Sequence, residues 1–472
     1  MARPQSPRRA PCRLQAAARL LALLAGASAA RAAPVSSCSS TSICFSGGLS
    51  TGAVLQRAPA RAALYGSVPP ASAGAAVSVR LLSEDGAGYN KTFTATAGPD
   101  GVWKVLLDAM PAGGNFSATA STLRSGLRKR VADLTFGDVI FCAGQSNMWL
   151  PLWFTTDRNE TTAAVAAGAY DNIRLWRGGL GETADGPNWL SPEGIEPGSD
   201  SGEALSNQWR HPRDVLAPNY IRDGEPWFWE FPSTCWYAAA RLTDLLGAAA
   251  PPLGLMTVPV GGTMVEQWSS PAAQATCANV TCMCDGAPKG CTPYGPITPA
   301  GCPKNSDLFY GNVQPFVNTT VKMWLWYQGE NNLEFDGGNS ALGTGYGCLF
   351  PAMIAEWRAL WAATPGTTDP LAPFGFVTLA DGTDESFGVS MAGLRWAQTA
   401  NYGVAPNPAM PNTFAALAHD AGDPWDAYQC ADPDACCVER YTPLGAACEG
   451  DHRGQWSFDG TNWFQGCVAN PP

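Results

Sequence analysis

From residue 139 onward the chain repeats one pattern: a short apolar run, a polar or glycine-rich turn, then a stretch with helical spacing. Val139-Ile140-Phe141-Cys142 ends at Ala143-Gly144-Gln145-Ser146-Asn147, the run 253–260 ends at Gly261-Gly262-Thr263, and the run 321–327 ends at Gln328-Gly329-Glu330. Trp236, Ala240, Leu242, Leu245 and Leu246 fall on one side of a helix that Ser233 or Thr234 can cap. Met353, Ile354, Trp357, Leu360 and Trp361 define a second helix, followed by a strand over 374–379. Strands that alternate with helices pair in parallel, so 135–472 is expected to be an α/β domain built on a doubly wound parallel sheet. Such sheets bind ligands beyond the carboxyl ends of their strands, and all three turns fall there.

The preceding region, 34–134, reads differently. Val77, Val79 and Leu81 alternate with smaller or polar residues, and Gly98-Pro99-Asp100-Gly101 is a turn leading into Val102-Trp103-Lys104-Val105-Leu106. Asn115 to Ala120 is another strand by the same pattern. Short strands separated by turns predict an antiparallel β-sandwich. Two stretches lack periodicity, 178–226 and 277–302; the second holds Cys277, Cys282, Cys284, Cys291 and Cys302 and reads as a disulfide-stapled loop rather than a zinc site, since no His is near.

A net charge of −11 repels phosphate backbones and argues against a nucleic-acid partner. Arg3, Arg8, Arg9, Arg13 and Arg19 precede the apolar run 20–30, and small residues follow it, the pattern of a secretory leader over 1–33. No later run approaches a membrane span. Sixteen Cys and sequons at Asn90, Asn115, Asn159, Asn279 and Asn318 agree with a secreted or lumenal chain, lysosome-like compartments included. Loss of Cys12 with the leader leaves an odd number.

Ser146 stands where a strand-to-helix turn would project its hydroxyl over the sheet edge. Acyl transfer also needs donors aimed at the developing oxyanion. Gly262 has no side chain to shield its N–H, and Gln328 offers an amide. Spacing alone leaves open an N-cap serine, a tight-turn glycine and a surface amide.

Together these residues carry a resemblance. Phe136-Gly137-Asp138-Val139 through Ala143-Gly144-Gln145-Ser146-Asn147-Met148 resembles the nucleophile block of the sialate O-acetylesterases, a branch of the SGNH (GDSL-like) hydrolases. Gly261-Gly262-Thr263-Met264-Val265-Glu266-Gln267-Trp268 is similar to their glycine block, and Trp326-Tyr327-Gln328-Gly329-Glu330-Asn331-Asn332 to their third. Val54-Leu55-Gln56-Arg57, Arg395-Trp396-Ala397-Gln398 and Gly422-Asp423-Pro424 extend the match to about 40–430. The resemblance implies a sandwich followed by an SGNH hydrolase domain that removes O-acetyl groups from carbohydrates without metal or cofactor. Ser146 would be the nucleophile, and the oxyanion hole would use the N–H groups of Ser146 and Gly262 plus the amide of Gln328, with Asn331 the alternative donor.

The general base is less directly marked. The chain has three histidines, His211, His419 and His452. The family's histidine lies in an Ile-His-Pro-Arg segment after a Gly-Asp-Pro-like stretch; here Asp423 is present but no Ile-His-Pro follows. The expectation is that the C-terminus is incomplete, with the frame diverging near Gly466. His452 beside Asp451 is the in-chain candidate for the base, followed by His419, while His211 reads as a loop residue. The rival to an esterase is a glycan-binding protein of the same fold, impaired for lack of a base.

Overall fold

The computed structural model describes residues 42–178 (apart from 47 and 87), 208–216, 221–222, 225–277, 306–336, 345–380 and 388–419, with short stretches at 281–282, 295–296, 456–458 and 463–465. All of them fall in one compact unit, Val35–Pro472.

The N-terminal part is all β. Its strands are β1 (Cys44–Phe45), β2 (Val54–Gln56), β3 (Ala63–Ser67), β4 (Ala76–Ser83), β5 (Asn90–Thr96), β6 (Val102–Leu106) and β7 (Gly113–Thr122), leading into β8 (Arg128–Gly144). β1, β3 and β6 form one antiparallel sheet, and β5, β4, β7 and the first half of β8 form another, with β2 added in parallel to β8. The period-two pattern of β4 is what puts Val77, Val79 and Leu81 in the core while Arg80 faces solvent.

The sequence suggests a short strand starting at Val139. β8 instead runs 17 residues without a break. Its residues up to Phe136 pair with β7, and from Asp138 it pairs with strands of a parallel sheet. Gly137 marks the passage: a Cβ there would stand 2.0 Å from the Pro252 carbonyl oxygen, so only glycine fits. Asp138 is gripped from β2 and its next residue. Gln56 Nε2 donates to Oδ1 at 2.9 Å, and Arg57 bonds both carboxylate oxygens at 3.0 and 2.9 Å. A bidentate guanidinium–carboxylate pair fixes orientation as well as distance, and it raises the affinity of Arg57 for its proton.

The parallel sheet contains β9 (Ile173–Arg177), β10 (Trp209–Arg210), β11 (Leu253–Thr257), β12 (Met323–Tyr327), β13 (Phe374–Thr378) and β14 (Thr413–Leu417) in the order β10-β9-β11-β8-β12-β13-β14. Only β10 runs antiparallel to its neighbour. From β8 the chain crosses to β9 and the edge strand β10 and returns to β11 between β9 and β8, then builds outward on the other side through β12, β13 and β14. The order therefore reverses at β8, and the crevice beyond its carboxyl end is the place such sheets offer a ligand.

Both faces are covered. The described helices include α1 (Ser146–Trp149), α2 (Arg158–Ala166), α3 (Ser233–Leu246), α4 (Val265–Trp268), α5 (Pro271–Gln274), α6 (Glu330–Asp336), α7 (Gly345–Trp361) and α8 (Gly388–Ala397). Val139, Phe141 and Ala143 of β8 point into a core shared with Trp357 and Trp361 of α7; Ile140 and Cys142 point into a second core with Trp236 and Ala239 of α3. Helix α3 begins after Pro232 with no side-chain cap, so neither Ser233 nor Thr234 plays the expected role; Thr234 Oγ1 instead donates to the Asn147 carbonyl at 3.2 Å. Cys142 of β8 is disulfide-bonded to Cys235 of α3. Cys277 is tied to Cys348 of α7, outside the loop expected to staple itself, and Cys284, Cys291 and Cys302 lie outside the described residues. No helix among the described residues is long and apolar enough to cross a membrane.

Candidate active site

Ser146 is the first residue of α1, directly after the carboxyl end of β8, and is half-buried. The turn that delivers it depends on Gly144, whose φ is 142°; a Cβ there would lie 2.1 Å from the Tyr327 carbonyl oxygen of β12. The Gln145 N–H donates to that same oxygen at 2.9 Å. As the first helical residue, Ser146 has an N–H with no intrahelical acceptor.

The glycine turn comes to the serine because the chain beyond β11 continues alongside β8. The N–H groups of Val258 and Val260 donate to the carbonyls of Cys142 and Gly144, both at 3.0 Å. Gly261 follows, and a Cβ placed on it would be 3.7 Å from Ser146 Cβ. Gly262 is exposed at the rim with φ 70°, and its nearest neighbour outside its own turn is the side-chain amide nitrogen of Asn331, 3.9 Å from where a Cβ would stand.

Gln328 reaches the same rim from β12 but is fully buried. Its Nε2 is within bonding distance of three acceptors: Gln145 Oε1 at 3.0 Å, the Thr263 carbonyl at 2.8 Å and Asn332 Oδ1 at 2.9 Å. Its two hydrogens thus have three protein acceptors within reach, while its Oε1 is buried without a hydrogen-bond partner. The half-buried Asn331 faces the gap beside Gly262.

The remaining polar groups knit the three turns together. Gln145 Oε1 also accepts from the N–H groups of Gly329 and Asn331, each at 3.4 Å. Asn332 accepts from Val265 N at 2.9 Å and donates to Glu266 at 2.9 Å. Asn147 Nδ2 donates to Glu330, whose second carboxylate oxygen is buried without a hydrogen-bond partner. Burial pushes the Glu330 carboxyl above its ordinary range, and burial together with the Glu330 charge pushes up the Tyr327 phenol. In the sequence Gln145 is marked only as a polar residue directly before a serine, and no local pattern marks Glu330.

The histidines separate. His211 lies 3.5 Å from Asp133, low on β8; eleven strand residues at ~3.3 Å each put that end roughly 35 Å along the chain from Gly144. His419 follows the carboxyl end of β14, on the rim that carries Ser146 but three strands away, about 14 Å at the usual spacing. Asp423 and His452 lie outside the described residues.

This layout places the chain among α/β proteins that carry a serine on the strand-to-helix turn at the switch point of a parallel sheet. Its fold is similar to that of a carbohydrate acetylesterase from Xanthomonas citri, with a TM-score of 0.55 and 26% identity, covering 81% of this chain and 70% of that one. The chain is 34% identical to the human and Pongo abelii sialate O-acetylesterases over 377 residues, 78% of its own length and 64% of theirs. Against the Rattus norvegicus sialate O-acetylesterase it is 33% identical, covering 66% of that protein. The chain is thus similar to sialate O-acetylesterases over most of its own length and spans a little under two thirds of the length of these relatives. No family model matches it.

Proposed function

We propose that this chain is a secreted serine esterase that removes O-acetyl groups from sialic acid or other carbohydrates through an acetyl-enzyme. The observation that carries the reading is the meeting of Ser146, Gly261-Gly262 and Asn331 at the sheet's switch point. The α/β part is then an SGNH-type hydrolase domain, 135–472, and the strands of 34–134 a preceding sandwich.

In this mechanism Ser146 Oγ attacks the acetyl carbonyl, and the oxyanion is met by the N–H groups of Ser146 and Gly262 and the Asn331 amide. Collapse expels the sugar hydroxyl, and water attacking the acetyl-serine releases acetate. The Gln145–Gln328–Asn332 bonds hold the donors in place, and the Asn147–Glu330 pair fixes the residue after the nucleophile. The general base comes from the chain beyond β14, with His452 and Asp423 as candidates and His419 as the alternative. β14 ends on the serine's rim, which favours that origin over His211.

The test is hydrolysis of an aryl acetate and of O-acetylated sialic acid by the purified chain, with Ser146→Ala as control. A loss of ~10³-fold or more in kcat with unchanged circular dichroism is expected. Turnover that survives Ser146→Ala rejects the mechanism; sugar binding without turnover supports a glycan-binding protein that lacks a base.

A further inference from the structure

β5 is the outer strand of the second N-terminal sheet. Among the described residues it pairs with β4 alone, and no described strand adds to its other side. Such an edge invites strand addition by another chain unless something blocks it. Asn-Lys-Thr-Phe-Thr-Ala-Thr contains no proline, and four of its seven residues are β-branched or aromatic, which favours pairing. Its one charge, Lys91, is committed, because Nζ sits 2.8 and 2.7 Å from the two carboxylate oxygens of Asp108.

Asn90, the first residue of β5, opens the sequon Asn90-Lys91-Thr92. Positions two apart share a strand face, and Asn90 and Thr92 are both exposed, while Phe93 and Ala95 lean on the core. Arg80 Nε of β4 donates to Asn90 Oδ1 at 2.8 Å and so orients the amide. The other described sequon asparagines border no open edge. Asn115 is on the central strand β7, Asn159 on α2, and Asn318 is half-buried with its Oδ1 taken by Lys104 at 2.8 Å.

We propose that Asn90 carries an N-linked glycan and that this glycan seals the β5 edge against pairing with a second copy of the chain. The inference rests on the secretory route proposed above. Asn90 Nδ2 forms a bond to the anomeric carbon of a polyprenyl-diphosphate-linked oligosaccharide, the carbon–oxygen bond to the diphosphate breaks, and Nδ2 gives up one proton. The attached sugar projects from the outer face at the start of the strand, where it excludes an incoming backbone.

The test is expression of the full chain in a eukaryotic secretory host, with glycopeptide mass spectrometry and sedimentation velocity. Occupied Asn90 is expected, with Asn90→Gln and Thr92→Ala both shifting the protein toward larger, concentration-dependent species. Thr92→Ser, which keeps the sequon, should match the wild type. Adding the edge charge Thr94→Lys to Asn90→Gln should restore the wild-type distribution, which a misfolded variant would not do. Secreted protein with other sequons occupied and Asn90 bare, or Asn90→Gln with wild-type sedimentation, overturns the proposal. A chain retained in the cytosol with no glycan anywhere overturns it together with the secretory reading.

Discussion

Gln328 Nε2 donates to Gln145 Oε1 at 3.0 Å, so the end of one strand is bonded to the residue immediately before the serine delivered by its neighbour. Side chains that fix a turn and side chains that contact a substrate should respond differently to truncation.

Asn331→Ala should therefore lower kcat by about 10²–10³-fold with KM and thermal stability nearly unchanged, the signature of a lost oxyanion donor. Gln328→Leu should instead destabilise the fold, by about 1–3 kcal/mol for each buried acceptor it strands. Steady-state kinetics and urea unfolding of the two variants decide this; reversed behaviour would return the donor role to Gln328.

Glu330 links stability to pH. Burial holds its folded value above the ordinary 4.5, so the folded chain prefers the protonated form. Its contribution is full below the ordinary value and is lost as pH rises through the raised one. Glu330→Gln removes that loss. Its urea midpoint relative to wild type should rise from pH 4.5 to neutral pH, and a flat difference would show that the carboxyl does not titrate between those limits.

Two glycines of the site should differ in tolerance. At Gly144 a methyl would meet the Tyr327 carbonyl at 2.1 Å, whereas at Gly262 nothing lies closer than 3.9 Å and only the φ of 70° is unfavourable. Gly262→Ala should cost about 1 kcal/mol of stability, while Gly144→Ala should cost several-fold more or fail to fold, read by thermal melts and soluble yield.

Removing the Cys142–Cys235 bond should cost about 2–5 kcal/mol, since it closes a loop between residues 93 apart. Cys142→Ser/Cys235→Ser should lower the urea midpoint accordingly. An unchanged midpoint would mean that packing of α3 against β8 suffices by itself.

Much of this is legible in local sequence patterns. The alternation of Val77, Val79 and Leu81 marked a half-buried strand, and the turns at Ser146, Gly262 and Gln328 do meet on one rim, because each ends a strand of the same parallel sheet. What stayed hidden was long-range. The continuity of β8 through Gly137 depends on pairing with β2 and β7 below and β11 above, which no local window contains. The convergence of Gln145, Thr263 and Asn332 on the Gln328 amide is equally long-range. The partner of Cys142 is likewise set by how α3 packs, not by spacing.

Because a single strand serves two sheets, the alignment of its lower half sets that of its upper half. One residue inserted between 138 and 144 would turn Phe141 and Cys142 toward each other's cores and present the nucleophile's turn on the opposite side. Length in this segment is thus constrained more tightly than composition: substitutions can be absorbed one by one, but a one-residue insertion or deletion cannot.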